Sequence, residues 1–158
     1  MSTKNVIIRP ATEQDLPLLL SFEQDLIAAE RPFDPTLVPG KFNYYNLAAL
    51  IQSPDACVLV AEVNQQVVAS GHATIREGKH YNDFARYAFL GFMYTIPEFR
   101  GQGYIQQIIA ALSDWAAQRG LTEMRLQVYD ENIPAVKAYE KVGFKKILTE
   151  MRAEIRKT

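Results

Sequence analysis

The segment that most constrains this chain runs from Tyr87 to Arg119. Tyr87–Thr95 is apolar and rich in aromatics, a strand composition. Ile96-Pro97 breaks it, and Arg100-Gly101-Gln102-Gly103-Tyr104-Ile105 follows. From Tyr104 to Arg119, the residues Ile105, Ile108, Ile109, Leu112 and Ala116 recur at helical spacing, with Gly120 positioned as a C-cap. A strand, a glycine-punctuated turn and a helix in that order gather backbone N–H groups at one spot, beside the positive end of the helix dipole. Arg100 adds a planar charged fork. Such a spot suits a pyrophosphate. The competing reading is a tight strand-to-helix turn that holds no ligand.

The loop narrows the ligand further. It lacks the Gly-Lys-Ser/Thr of a phosphate-binding nucleotide loop, and Gln106 stands where a dinucleotide fingerprint needs its third glycine. The net charge is -1, and the 17 Lys and Arg residues are scattered apart from a short run at Arg152, Arg156 and Lys157. That excludes the basic field on which nucleic-acid binding depends, so no nucleic-acid partner is expected. A lone cysteine, Cys57, forbids an internal disulfide and reads as a small core residue of a strand. With two histidines far apart, no metal site is expected. No apolar run reaches the length of a membrane span and Met1–Asn5 is polar, so the expectation is a cytoplasmic protein without a signal peptide or membrane partner.

The 158 residues suit a single domain, 1–158. Val6–Arg9 is a short strand ending at Pro10. Thr12 and Asp15 have capping-box spacing, predicting a helix from about Glu13 with Leu16, Leu19, Leu20, Glu23 and Ile27 near one face. Arg31–Gly40 is a loop on its prolines and glycine, and Phe42–Ile51 is apolar at helical spacing. Cys57–Val63 and Val67–Arg76 are strands joined across Asn64-Gln65-Gln66 as a hairpin. Glu77–Arg86 is a second loop. Glu123–Tyr129 alternates as a half-buried strand, Pro134–Val142 is a short helix, and Phe144–Ile155 is strand-like. The order β α α β β β α β α β predicts a mixed sheet with helices packed on its faces.

A second motif lies beyond the first helix–strand pair: Asn132, Ala135, Tyr139 and Gly143-Phe144. On a helix starting near residue 133, Ala135, Ala138, Tyr139 and Val142 share one face. Taken alone, Asn132 reads as a helix cap and Tyr139 as a core aromatic. Together the two motifs resemble the GCN5-related N-acetyltransferase (GNAT) superfamily. Thr95-Ile96-Pro97-Glu98-Phe99-Arg100-Gly101-Gln102-Gly103 is similar to its acetyl-CoA loop. Asn132-x-x-Ala135-x-x-x-Tyr139-x-x-x-Gly143-Phe144 is similar to the motif that follows it, and Ile8–Thr12 to the family's opening. The sixth loop position, usually Gly or Ala, is Ile105 here, and only fifteen residues follow Gly143.

The resemblance implies an α+β fold, a mostly antiparallel mixed sheet flanked by helices on both faces. It implies an acetyl-CoA-dependent N-acetyltransferase in which a primary amine attacks the thioester directly, with no Ser or Cys nucleophile. The alternative is a non-catalytic coenzyme A-binding or interaction module on the same fold. It implies that strands Tyr87–Thr95 and Glu123–Tyr129 splay apart at a bulge. Coenzyme contacts would come from Met93, Tyr94, Thr95, Arg100, Gly101, Gln102, Gly103, Tyr104, Ile105 and Asn132. Tyr139 matches the general acid. The base has no match on Tyr87–Tyr94, leaving Glu30, Asp34, His72 and Asp83 as candidates. Tyr44, Tyr45, Tyr81 and Tyr87 are candidate pocket residues for a small amine or peptide acceptor. A homodimer is an assembly common in the family.

Overall fold

The computed structural model describes residues 5–156 and divides into two compact units, 1–127 and 128–158. The first unit holds a five-stranded sheet in the order β1-β2-β3-β4-β5, comprising β1 (Val6–Pro10), β2 (Ala56–Val63), β3 (Gln66–Glu77), β4 (Arg86–Thr95) and β5 (Met124–Leu126). Neighbours pair antiparallel except β4 and β5, which are parallel. The sheet is therefore mixed and mostly antiparallel, as the sequence predicts. Three helices pack on it: α1 (Leu16–Glu30), α2 (Leu47–Gln52) and α3 (Tyr104–Gln118).

Strand alternation sorts the two faces. Val58, Val60, Phe92 and Tyr94 pack with Leu19, Phe22 and Leu47 of α1 and α2 in one core. Gly71 faces the other way, and a methyl group there would stand 2.7 Å from Ile108 Cγ2 and 2.7 Å from Met93 Sδ. Only glycine lets α3 lie that close to β3. α3 buries Tyr104, Ile108, Ile109, Leu112 and Ala116. Tyr104 thus takes the first-turn core position that the spacing assigns to Ile105, which is half-buried. Near its other end Trp115, the sole tryptophan, carries the Arg119 guanidinium 4.3 Å from its ring centroid.

The capping box at Thr12 and Asp15 forms, with Thr12 N–H donating to Asp15 Oδ2 at 2.7 Å. It opens a short 3-10 turn before α1 proper. Arg9 also binds Asp15 at 2.8 Å, which draws the carboxyl below its ordinary range. α1 buries Leu19, Phe22, Glu23 and Ile27. Leu20, predicted on that face, is partly exposed and Phe22 replaces it, because the face turns toward Tyr94, whose ring lies 5.0 Å from Phe22.

Several boundaries differ from the sequence reading for local reasons. The apolar run from Phe42 is not all helix. Glu23 Oε2 accepts the amides of Tyr44 and Tyr45, both at 2.8 Å, and holds them outside the helix. The helix starts only after Asn46, whose side chain caps Ala49 N–H. The β2–β3 connection shrinks to the two residues Asn64-Gln65, since Val63 pairs with Gln66. Both have positive φ, 49° and 70°, the pattern of a hairpin turn that matches strand twist. β5 spans Met124–Leu126, not Glu123–Tyr129, since its ladder ends at Leu90↔Leu126 where β4 begins to bulge. Cys57 is half-buried, short of the core position expected, and burial raises its thiol pKa, away from nucleophile chemistry.

The second unit contains α4 (Ile133–Lys141), capped by the Asn132 side chain on Ala135 N–H at 3.4 Å. Its buried residue is Val136, whereas Ala135, Ala138, Tyr139 and Val142 are half-buried. The helix closes with Val142 and Phe144 amides donating to the Tyr139 carbonyl, and the Tyr139 and Phe144 rings meet edge-on at 6.0 Å. Phe144–Ile155 forms no strand, contrary to its pattern. No ladder partner faces it among the described residues, and Ile147, Leu148, Met151 and Ile155 are 71–90% exposed. A β pattern without a neighbouring strand has no hydrogen-bond ladder to fix it.

Candidate active site

The site grows from an irregularity in β4. The β3–β4 register pairs Ser70 with Tyr94 but His72 with Gly91, so β4 carries an extra residue there. Phe92 takes φ 60°, a left-handed conformation that costs a bulky residue energy. The bulge removes the Phe92 peptide groups from the ladder, and side chains serve them instead. Phe92 N–H donates to the Tyr45 hydroxyl at 3.1 Å, and the Ser70 hydroxyl donates to Phe92 O at 3.0 Å. Buried backbone groups must be paired, so these two side chains are what the bulge requires.

β5 leaves β4 at the same point. From Gly91 onward β4 has β3 on one side and no ladder partner on the other within the first unit. Ile96 N–H donates to Val68 O at 2.9 Å, which fixes the ladder phase. The phase turns the Thr95 amide and carbonyl away from β3, toward the open edge. Arg100 Nε donates to that Thr95 carbonyl at 3.0 Å. The guanidinium is thereby held where the open strand edge meets the glycine loop.

The loop has the conformation that its glycines allow. Gly101 and Gly103 have φ of 77° and 85°, and Gly103 directly precedes α3. Left-handed residues alternating with ordinary ones turn successive N–H groups to one side. The Tyr104 hydroxyl donates to Gln102 Oε1 at 3.2 Å, bracing the loop. Met93, Tyr94, Thr95 and Arg100 through Ile105 therefore form one continuous edge, loop and helix start. Tyr94 itself points into the α1 face, where its hydroxyl donates to Asp25 at 3.2 Å, and burial raises its pKa. Asn132 and Tyr139 belong to the second unit, on the start and body of α4.

On the α1–α2 face, beside the bulge, lies a polar and aromatic cluster. His72 is 3% exposed, and its ring stands edge-on to Tyr45, centroids 4.6 Å apart, with Phe92 at 5.9 Å. Gly91 makes room for it, since a methyl group there would fall 2.9 Å from His72 Cε1. Burial, reinforced by the Arg76 charge, lowers the His72 pKa to about 4, so the imidazole is neutral. Burial likewise raises the Tyr45 hydroxyl to about 12. Burial raises the pKa of Glu30, opposed by a hydrogen bond from Tyr44.

The candidate bases separate on this geometry. Asp34 closes a local turn, accepting from Thr36 N–H at 2.9 Å. Asp83 is exposed on the second loop. Glu30 and His72 remain near the bulge side. Of the pocket tyrosines, Tyr44 and Tyr45 join the cluster, while Tyr81 is 69% exposed against His80 and Tyr87 packs on Phe84. Sequence reasoning did not single out Ser70 and Thr74. The polar alternation Ser70-Gly71-His72-Ala73-Thr74 on a buried strand is the signal that marks them.

The bulged strand with an open edge running into a glycine loop invites comparison with known proteins. Residues 23–144 match the acetyltransferase (GNAT) family. The chain belongs to that family. As a member it is an acetyltransferase. An uncharacterized N-acetyltransferase of Bacillus subtilis is 41% identical over 61 residues, 39% of this chain and 25% of that protein. The thialysine N-epsilon-acetyltransferase of Bos taurus is 27% identical over 143 residues, 87% of this chain and 83% of that one. Among solved structures, an aminoglycoside N-acetyltransferase in complex with CoA shares the fold, with TM-score 0.75 and 23% identity over 99% of this chain and 97% of that one. Among the described residues, no group of His, Cys, Asp or Glu is arranged to hold a metal, and no helix is long and apolar enough to cross a membrane.

Proposed function

We propose that this GNAT domain, spanning 1–158, transfers the acetyl group of acetyl-CoA to the primary amine of a small molecule by direct attack in a ternary complex. The observation that carries the reading is the open edge of β4 beyond Leu90, continuous with the Arg100–Gly103 loop and anchored to it by Arg100. The fit to coenzyme A is chemical. Left-handed Gly101 and Gly103 and the start of α3 suit a pyrophosphate, and strand-edge amides suit the amide-bearing pantetheine arm. Met93, Tyr94, Thr95, Arg100, Gly101, Gln102, Gly103, Tyr104 and Ile105 are the proposed contacts, with Asn132 added on its family motif.

In the reaction the amine nitrogen attacks the thioester carbon. An outward-facing β4 amide near Thr95 stabilises the oxyanion that forms, and the carbon–sulfur bond then breaks. Tyr139, the residue at the family's acid position, supplies the proton to the departing sulfur. The similarity to thialysine and aminoglycoside acetyltransferases supports a small polyfunctional amine over a peptide as acceptor. A cytoplasmic setting, where acetyl-CoA is made and used, and a homodimer complete the reading. The exposed apolar residues Ile147, Leu148, Met151 and Ile155 support the homodimer.

The test is free-thiol release from acetyl-CoA against thialysine, lysine, polyamines and an aminoglycoside. Release that depends on one amine class is the expected result. Tight coenzyme A binding without release on any of them would favour the non-catalytic module. Tyr139→Phe is expected to lower turnover by roughly ten- to a thousandfold with coenzyme affinity little changed, on the scale of acid catalysis. Full turnover would remove the acid role.

A further inference from the structure

The cluster beside the bulge contains polar groups that the fold does not use. Both ring nitrogens of His72 and the Thr74 hydroxyl are buried and lack hydrogen-bond partners. A buried polar atom without a partner costs about 1–3 kcal/mol, so two neighbouring side chains in that state call for a reason. They are two residues apart on β3 and therefore share one face of the sheet. Opposite them on β4 stand Gly91 and Phe89. Gly91 opens the space that the imidazole fills, directly beside the residue at which β4 bulges and β5 departs. Tyr45, half-buried, covers the ring, and its hydroxyl is tied to the bulge amide.

We propose that His72 is the proton acceptor of the transfer, with Thr74 beside it as the hydrogen-bonding partner that orients the acceptor amine. The assignment rests on the acetyl-transfer reading and names the base which that reading lacks. A neutral imidazole buried among Tyr45 and Phe92 has a free lone pair and no competing partner. The amine arrives unprotonated and its lone pair forms the new carbon–nitrogen bond. The nitrogen then carries a positive charge and becomes acidic, and one of its protons passes to a His72 ring nitrogen. The carbon–sulfur bond breaks and the thiolate takes the Tyr139 proton; as product leaves, His72 releases its proton to water and Tyr139 regains one from water. Protons balance, and no oxidant or metal is involved. Tyr45 must swing off the ring for the amine to enter, which also releases the Phe92 amide.

Four measurements on the full chain decide it. In His72→Gln, kcat on the best amine of the panel should fall by about a hundred- to a thousandfold, within the general-base range, while coenzyme A affinity stays within about threefold. Thr74→Val should raise the amine KM more than it lowers kcat. His80→Gln, at the exposed second histidine, should match wild type. Since His72 is buried and replacing it can impair folding, the fourth measurement uses the wild type. The imidazole 15N signals are recorded while the amine is added to protein saturated with a non-hydrolysable thioether of coenzyme A. With only two histidines, both signals resolve; His72 should shift and His80 should not. A folded His72→Gln that keeps kcat within about threefold of wild type, or a His72 signal unmoved at saturating amine, overturns the assignment. Loss of turnover in the wild type itself, across the whole panel, strikes instead at the acetyl-transfer reading.

Discussion

Single side chains do two kinds of work around the bulge. Glu23 is fully buried, and its carboxylate replaces the helical hydrogen bonds that Tyr44 and Tyr45 forgo. Glu23→Ala leaves two amides without that acceptor, and stability should drop by about 3 kcal/mol in urea denaturation, the scale of lost charged hydrogen bonds. His72 acts through its protonation. Folded, it takes a proton only near pH 4, whereas unfolded it does so near 6.5. Between those values the unfolded chain binds a proton that the folded chain refuses. Stability present above pH 6.5 is therefore lost as pH falls toward 4, by up to about 3 kcal/mol. Burial also pushes up the carboxyls of Glu23 and Glu30, which act on the covering Tyr45, and their protonation opposes this loss. His72→Leu should flatten this part of the pH–stability curve, read by thermal melts from pH 4 to 7. The sequence could not disclose either role. A glutamate on a helix face and a histidine on a strand have the same letters whether solvated or buried, and only the packing of α1 and α2 on the sheet decides which.

Elements were more legible, because periodicity and caps are local. The strand, glycine loop and helix of the proposed coenzyme region were readable from 87 to 119, and the Asn132 cap from its spacing. Three features were not. The helix expected from Phe42 begins at Leu47, since the Glu23 that holds the Tyr44 and Tyr45 amides lies 21 and 22 residues upstream of them. The strand expected over Glu123–Tyr129 stops at Leu126, since its partner bulges. The strand expected over Phe144–Ile155 has no ladder partner among the described residues. Each failure depends on a partner distant in sequence, which no window can see. Two predictions follow from the elements themselves. Gly71→Ala pushes α3 off β3 and should cost about 1–3 kcal/mol, as overpacking does, measured by denaturant midpoint. Arg100→Ala should weaken coenzyme A binding, and the loss relative to wild type should shrink as salt rises, read by calorimetry at two ionic strengths.

For the whole molecule, both the fold class and the family were within reach of the sequence, because two motifs on either side of a helix–strand pair are jointly restrictive. The assembly was not. Residues 144–156 present Ile147, Leu148, Met151 and Ile155 to solvent, an arrangement a second copy would relieve. Sedimentation should show concentration-dependent dimerisation, and a chain ending at Phe144 should dimerise more weakly. Unchanged sedimentation of that shortened chain would place the interface elsewhere.

The stacking of Arg119 on Trp115 makes the protein its own optical probe. Only one indole emits, and it sits on the helix whose opposite end meets the proposed phosphate loop. Emission from that ring reports on α3 alone, with no label to attach. Coenzyme titrations and stopped-flow mixing can therefore follow the tightening of this helix in the unmodified chain.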